Sequence, residues 1–394
     1  MITDHRAQDG SRVPAPPAPW TLHLGGVGLA LFTILNLVVF VMVFINPEAR
    51  SVVPIYRVGS LGWWAGQDIF GEGTAGFIYL PSFAVLYTPF ALLGPQLGDI
   101  AWRAVSAGLL AFGVAETLRV ALPRFDRRTV WLSAGVALLV ALPGAANSLR
   151  NGQATTILYA LMLIATVAVI ERRWWSAGIL LALAFALKPL AIVYILLVAA
   201  LQPAVIGRLV VALVVLMALP LLHPDPSRAL ELYGLGIHKV LIAGAPDLGR
   251  WSDITGLLGK LGIVAPESLL TVMRIIAALA TLALGAVALR RNGRVRGMIN
   301  LYALSVVYLM LMSPRTEAQT YLMLGATLHR HRARLERRWR AQAADPLFRA
   351  RGHAGRGRSR HRDAAGDGSL VGSAALPRLP AVSRGRLPQA DGFG

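Results

Sequence analysis

The stretch from Ser176 to Leu201, SAGILLALAFALKPLAIVYILLVAAL, decides how the rest of the chain is threaded. It carries no charge except at Lys188, which is followed directly by Pro189. A lysine at the centre of a membrane-spanning helix costs roughly 2.5 to 3.5 kcal/mol, and a proline removes a backbone donor. We therefore predict two short helices that meet at a polar apex. One long kinked helix with a snorkelling lysine is the alternative.

Composition predicts an all-α polytopic membrane protein. Hydrophobic residues make up 55% of the 394 residues, and the mean hydropathy is +0.57. Residues 1–20 are polar and rich in proline, and we expect them in the cytoplasm, before a first permanent span at Leu22 to Ile45. The chain has no cysteine, which excludes disulfides and thiolate metal sites, and its histidines show no ligand spacing within the membrane part. We expect neither a metal ion nor another cofactor.

Basic clusters orient the predicted spans. The clusters are Arg119 to Arg128, Glu171 to Arg173, Arg208 and Arg290 to Arg296. The positive-inside rule places all of them in the cytoplasm, provided that the run around Lys188 is a two-helix hairpin. The later spans are then about 98–118, 129–146, 154–170, 175–188, 189–202, 207–222, 269–289 and 298–313. The segment Phe77 to Leu93, with two prolines, would lie as a helix in the outer interface, so the expected bundle has about 9 to 10 transmembrane helices.

The last part of the chain, residues 329–394, differs from the predicted membrane domain at residues 21–328. It has fifteen arginines, no lysine and five acids, which gives 15 − 5 = +10 of the total net charge of +19. A disordered basic tail near anionic lipid is one interpretation, and a frame-shifted translation that replaces a lost span is another. No aromatic residues are interleaved as a stacking platform, so we expect no nucleic-acid partner.

The predicted topology collects polar side chains on the outer face. The first outer loop, Asn46 to Gly76, supplies most of them, and short outer turns supply the others: Glu48, Tyr56, Arg57, Trp63, Trp64, Asp68, Glu72, Arg150, Asn151, Gln153 and Lys188. Cations can neutralise a lipid phosphate, tryptophan can stack on a sugar, and a carboxylate can act as a base toward a hydroxyl. Each residue also has a simpler explanation, as an interface anchor, a lipid-headgroup contact or a solvated loop charge.

These residues form a pattern that resembles glycosyltransferase family 87, of the GT-C superfamily. The first loop contributes Tyr56-Arg57, then WWAGQDIF at 63–70 and FIYLP at 77–81. Further pieces are Asn151-Gly152-Gln153, Leu187-Lys188-Pro189 and SPRTE at 313–317. The resemblance covers roughly residues 20 to 328, and it rests on the order and spacing of these motifs more than on any one of them.

The resemblance implies an enzyme with a GT-C-like fold in the bacterial inner membrane. It implies transfer of a hexose, with mannose preferred, from a polyprenyl-phosphate donor to a lipid or glycan acceptor on the outer face, with inversion at the anomeric carbon. The donor-binding residues would be Tyr56, Arg57, Trp63, Trp64, Tyr79, Arg150, Asn151, Gln153, Lys188 and Arg315.

The sequence departs from the family where a catalytic base is expected. Family members commonly carry an aspartate three or four residues before the tyrosine that matches Tyr56, and this chain has Val52 and Val53 there. Another acid would have to act as the base. We favour Asp68, and the other candidates are Glu48, Glu72 and Glu317.

Two other classes of function remain open. A transporter also has broken helices with charged residues at the break, although we find neither a second such break nor an internal repeat. A catalytically degenerate membrane protein would explain the missing aspartate.

Overall fold

The computed structural model describes residues 19–73, 76–243 and 253–313. These residues form helices joined by short turns, and no strand occurs among them. The helices are α1 (Pro19–Ile45), α2 (Val53–Trp64), α3 (Pro81–Leu92), α4 (Gly94–Ala121), α5 (Arg127–Asn151), α6 (Thr155–Ile170), α7 (Trp174–Leu187), α8 (Ile192–Leu201), α9 (Ile206–Ala218), α10 (Pro226–Ala243), α11 (Ile254–Lys260) and α12 (Glu267–Met312).

The prediction of an all-α polytopic membrane protein is confirmed. Within the described ranges, five helical stretches are long and apolar enough to cross a bilayer: Trp20–Ile45, Gly94–Ala121, Arg127–Asn151, Pro203–Leu222 and Glu267–Met312. Four shorter apolar stretches accompany them, and α6, α7 and α8 have only 16, 14 and 10 residues. The number of crossings therefore stays a prediction.

The helix breaks at Lys188, where the sequence predicts a break. α7 ends at Leu187, Lys188 is extended with φ −155° and ψ 113°, and a 3-10 turn at Pro189–Ala191 leads into α8. The chain then returns toward the start of α7. This return is shown by Arg208 in α9, whose guanidinium lies 6.0 Å from the centre of the ring of Trp175 in α7. α7 and α8 are therefore two helices that run in opposite directions, and a single kinked helix is excluded.

α12 also folds back on itself. Gly293 interrupts it with φ 69° and ψ 175°, and the two arms on either side run antiparallel. At the far ends of the arms, the Nε of Arg274 donates a hydrogen bond to the carbonyl of Met312 over 3.1 Å. The two arms correspond to the last two spans of the sequence analysis.

The bundle has two ends with different chemistry. Thr155, at the start of α6, accepts a hydrogen bond from Lys188, so both lie at one end, together with α2; we call it the loop end. α6 finishes at the opposite end, where Arg294 donates to the carbonyl of Val169 over 2.9 Å. We call this the arginine end. Lys188 and the cluster around Arg294 thus lie at opposite ends, as the hairpin prediction requires.

The segment between α1 and α4 is more ordered than the sequence indicated. The sequence predicts a loop at residues 46–76, but this segment contains α2, which begins with a proline in its first turn. α3 follows, and its 12 residues span roughly 18 Å at 1.5 Å per residue, well short of a bilayer core of about 30 Å. This agrees with the prediction that Phe77 to Leu93 does not cross fully. α10 and α11 lie between the predicted spans 207–222 and 269–289, where the sequence analysis predicts no helix.

Four predictions fall outside the described residues. They concern Arg315, Glu317, the cytoplasmic location of the N-terminal segment up to residue 18, and the character of residues 329–394.

Candidate functional site

A tight turn at Asn151-Gly152-Gln153 organises the loop end. Gly152 ends α5 in the left-handed conformation, with φ 72°. A Cβ added there would lie 2.2 Å from the Cγ2 of Val53 and 3.0 Å from Nη2 of Arg103. The carbonyl of Gly152 accepts a 2.9 Å hydrogen bond from the indole of Trp102, and the carbonyl of Asn151 accepts one from the Val52 amide. Only glycine combines this backbone conformation with so close a contact.

Arg103 joins the three segments that meet at this turn. Its side chain is fully buried and donates to the carbonyls of Leu149, Asp99 and Arg150 and to the hydroxyl of Ser51, over 2.8 to 3.1 Å. A buried guanidinium is tolerated only when its donors are satisfied. Arg103 therefore fixes α4, the end of α5 and the start of the α2 segment relative to one another.

A chain of charges runs from the surface into this network. The guanidinium of Arg57 donates to the carboxylate of Asp99 over 3.0 Å and lies 3.5 Å from the carboxylate of Glu48. The Asp99 side chain is 1% exposed, and its Oδ2 atom has no hydrogen-bond partner among the described residues. The sequence analysis missed Asp99. Its signal was an acid four residues before Arg103 in an apolar helix, where ionisable residues are rare and usually paired.

Tyr56 and Lys188 lie in an adjacent cluster of polar side chains. The hydroxyls of Tyr56 and Tyr79 are 2.9 Å apart, and the Tyr56 hydroxyl accepts from the amide of Ala154. One residue further on, the hydroxyl of Thr155 accepts a 2.9 Å hydrogen bond from Nζ of Lys188. We call this the tyrosine–lysine cluster. It brings together four of the residues predicted to bind the donor: Tyr56, Tyr79, Gln153 and Lys188.

The two tryptophans predicted as sugar platforms have different environments. Trp63 is fully buried, so its ring is part of the protein core. Trp64 is half-buried, stacks on His223 with 8° between the ring planes, and donates to the hydroxyl of Thr88 over 2.8 Å. Trp64 lines a pocket of about 430 Å³ with Ala65, Gly66, His223, Pro224, Asp225 and Arg228. Only the second tryptophan is therefore available to a ligand.

Three of the acids proposed as bases, Asp68, Glu48 and Glu72, lie among the described residues; all three are exposed, but their contacts differ. The carboxylate of Asp68 accepts a 2.9 Å hydrogen bond from the backbone amide of Phe70, and Asp68 follows Gly66 of the Trp64 pocket by two residues in the sequence. Glu48 lies beside Arg57, whereas the backbone carbonyl of Glu72 accepts from the buried Lys239. Among the described residues, Asp68 and Glu72 form no ion pair.

Arg150 lies apart from the tyrosine–lysine cluster, although the sequence analysis grouped it with those residues. Its side chain lines a groove between α1 and α5, together with Arg50. Asn151 contributes through its backbone, and its side-chain oxygen has no partner among the described residues.

Within residues 19–73, 76–243 and 253–313, no three histidine or acidic side chains converge as ligands for a metal ion.

Comparisons with known proteins agree with the sequence pattern. A curated relative from Mycolicibacterium smegmatis, a polyprenol-phosphate-mannose-dependent alpha-(1-2)-phosphatidylinositol mannoside mannosyltransferase, is 27% identical over 266 residues. The match covers 61% of this chain and 59% of the relative, so the chain spans about three fifths of the relative's length. No solved structure matches. The model of glycosyltransferase family 87 matches residues 77–314, more than half of the chain, and the chain therefore belongs to glycosyltransferase family 87.

Proposed function

We propose that this protein transfers a hexose, with mannose as the first candidate, from a polyprenyl-phosphate donor to a lipid or glycan acceptor. Membership in the family supports sugar transfer, and the relative's dependence on polyprenol-phosphate mannose supports the choice of donor. The observation that carries the proposal is the tyrosine–lysine cluster at the loop end, where a broken helix presents Lys188 beside polar side chains.

The tyrosine–lysine cluster suits the donor's phosphate. The leaving group is a polyprenyl phosphate, and a cation beside it stabilises the negative charge that develops as the glycosidic bond breaks. Lys188 supplies that cation, and Tyr56, Tyr79 and Gln153 supply polar contacts around it. We propose that Arg57 acts indirectly here, since Asp99 and Glu48 already contact its guanidinium.

Asp68 remains the proposed general base. It is exposed, its carboxylate accepts from the Phe70 amide, and the Trp64 pocket, whose Gly66 precedes Asp68 by two residues in the sequence, would hold the acceptor. The base removes the proton from an acceptor hydroxyl, whose oxygen bonds to the anomeric carbon. The bond to the phosphate oxygen breaks, and its electron pair leaves with the polyprenyl phosphate. A single displacement of this kind inverts the anomeric carbon.

We propose that the loop end faces the outside of the inner membrane. The positively charged clusters at the arginine end support this orientation, because such residues are retained in the cytoplasm. The chain has no cysteine, so single cysteines can be placed at exposed positions. Ser227→Cys should react with a membrane-impermeant thiol reagent in intact cells, and Asn292→Cys should react only after lysis. The opposite pattern would reverse the proposed orientation.

The proposed reaction can be tested with washed membranes and a labelled polyprenyl-phosphate mannose. Removing a general base typically costs about 10² to 10⁴ in rate, so Asp68→Asn should reduce transfer by that factor. Glu267→Gln, another exposed acid, is the matched control and should leave transfer unchanged. Lys188→Gln should raise KM for the donor instead.

Three results would redirect the proposal. Full activity of Asp68→Asn, beside an inactive variant of Glu48, Glu72 or Glu317, would move the base to that acid. Movement of the labelled lipid across the membrane without sugar transfer would favour a transporter. A wild-type protein that neither transfers nor moves the sugar would favour a degenerate enzyme.

A further inference from the structure

A groove between α1 and α5 has the chemistry of a lipid-binding site. Its volume is about 420 Å³, and its wall on α1 is apolar, formed by Leu35, Val38, Val39 and Met42. Ala146 of α5 forms part of the opposite wall. At the loop end of the groove, the wall is completed by two arginines, Arg50 and Arg150.

The groove arises from how the two helices pack. Near the arginine end their backbones touch, since a Cβ added at Gly25, Gly28 or Gly135 would lie within about 2 Å of a carbonyl of the other helix. Toward the loop end, larger side chains replace the glycines. Pro143 lies between the two regions of α5 and removes one helical hydrogen bond. Close contact at one end and bulky side chains at the other leave a gap that opens to the surface.

Among the described residues, no carboxylate neutralises the two arginines of the groove. Glu48, the nearest acid in sequence to Arg50, lies beside Arg57 instead. Among the described residues, neither Arg50 nor Arg150 forms an ion pair, and Nη1 of Arg150 is buried without a hydrogen-bond partner. Arg50 also adopts a left-handed backbone conformation, with φ 52°, which is uncommon for a residue other than glycine. Two arginines that line one apolar groove are complementary to an anion that carries a hydrocarbon chain.

We propose that this groove binds one anionic membrane phospholipid. The phosphate diester lies between Arg50 and Arg150, and an acyl chain follows the apolar wall of α1. The half-exposed side chains of Val38 and Met42 would contact that chain from within the bilayer. The site goes beyond the proposed sugar transfer and does not depend on it.

The groove is separate from the proposed donor site. Trp102 and Arg103, which are both buried, lie between them: Trp102 packs against Tyr56, and Arg103 bonds the carbonyl of Arg150. A polyprenyl phosphate in the tyrosine–lysine cluster would therefore leave the groove unoccupied. The groove also opens toward bulk lipid, where phospholipids are the abundant phosphate-bearing molecules. Both considerations favour a phospholipid over the polyprenyl donor as the occupant.

The test uses the full-length protein in vesicles of phosphatidylglycerol and phosphatidylcholine in equal amounts, with a minor share of a polyprenyl monophosphate. Native mass spectrometry then identifies the lipids that stay bound after extraction. We expect one retained phosphatidylglycerol on the wild type. Loss of charge-assisted hydrogen bonds in Arg50→Gln/Arg150→Gln should reduce its retention about tenfold. Arg124→Gln/Arg127→Gln, which removes two exposed charges from the arginine end, should retain the lipid.

A second variant tests whether loss of the lipid is caused by a change in the groove or by a folding defect. Ala146→Phe fills the groove without changing its charge, and it should also lose the lipid while the protein stays monodisperse. Retention equal to the wild type in both groove variants would overturn the proposal. So would equal loss in the Arg124 and Arg127 control, or retention of polyprenyl monophosphate in place of phosphatidylglycerol.

Discussion

Two ion pairs at opposite ends of the bundle have the same chemistry and opposite environments. At the loop end, Arg57 and Asp99 are 3.0 Å apart, and their side chains are 12% and 1% exposed. At the arginine end, Arg119 and Glu171 are 2.6 Å apart, and their side chains are 47% and 28% exposed. The shorter contact is the more exposed one. Distance alone therefore does not rank the two pairs.

The difference in exposure predicts how much each ion pair contributes to stability. Water and salt screen the exposed pair, so it contributes little to stability, and its arginine is available to hold the chain's orientation in the membrane. The buried pair is poorly screened, and removing one partner leaves the other charge without compensation. We infer that removing one partner of the ion pair destabilises the protein much more at the loop end than at the arginine end.

The largest expected effect is that of Asp99→Ala. It leaves Arg57 without its buried partner, and we expect the free energy of unfolding in detergent micelles to fall by roughly 3 to 5 kcal/mol. Denaturant titration measures this, and Glu171→Ala at the arginine end is the matched control. If both variants lose the same amount, the comparison between the two ends fails. Replacing Arg57 and Asp99 together with apolar residues should restore much of the loss, because desolvation of the pair is then avoided.

An intermediate effect is expected from Gly152→Ala. The added Cβ would meet Val53 and Arg103, and the left-handed backbone is unfavourable for alanine. Strain of this kind costs roughly 1 to 3 kcal/mol, and the same titration measures it. Gly207→Ala is the control, since nothing lies within 4 Å of a Cβ there. A neutral Gly152→Ala would show that the turn adapts and that the loop end is less rigid than its hydrogen bonds suggest.

The smallest effect is expected from Glu171→Gln, at less than about 1 kcal/mol. Partial burial opposes ionisation of Glu171, but the hydrogen bonds and charges of Arg119 and Arg173 outweigh it and lower the pKa of its carboxyl. Because the pKa is lower in the folded state, ionised Glu171 stabilises the protein at pH values above the unfolded-state pKa of about 4.3. This stabilisation is lost as the pH falls through the folded-state pKa. The difference between wild type and variant should thus be present at pH 7 and vanish toward pH 3. A constant difference would exclude ionisation as its cause.

Several features could be predicted from the sequence because their signals are local. The break at Lys188 follows from a charge and a proline within an apolar run, and the turn at Gly293 follows from the arginines around it. An acid in an apolar helix marks Asp99, but its partner could not be assigned in this way, because Arg57 lies 42 residues earlier in the chain. Trp63 and Trp64 are adjacent in sequence, but α2 directs one side chain into the core and leaves the other at a pocket. The sequence analysis predicts a loop there, and without α2 the different environments of the two tryptophans could not be predicted.

The contact between α1 and α5 has a consequence for biosynthesis. Gly28 packs against Gly135, so about a hundred residues must follow α1 out of the ribosome before its partner exists. At about 5 to 20 residues per second, α1 waits roughly 5 to 20 seconds in the bilayer before α5 can pack against it. A helix in that position must be stable in the bilayer without its α5 partner. α1 meets this requirement, because none of its 27 residues is an aspartate, glutamate, lysine or arginine.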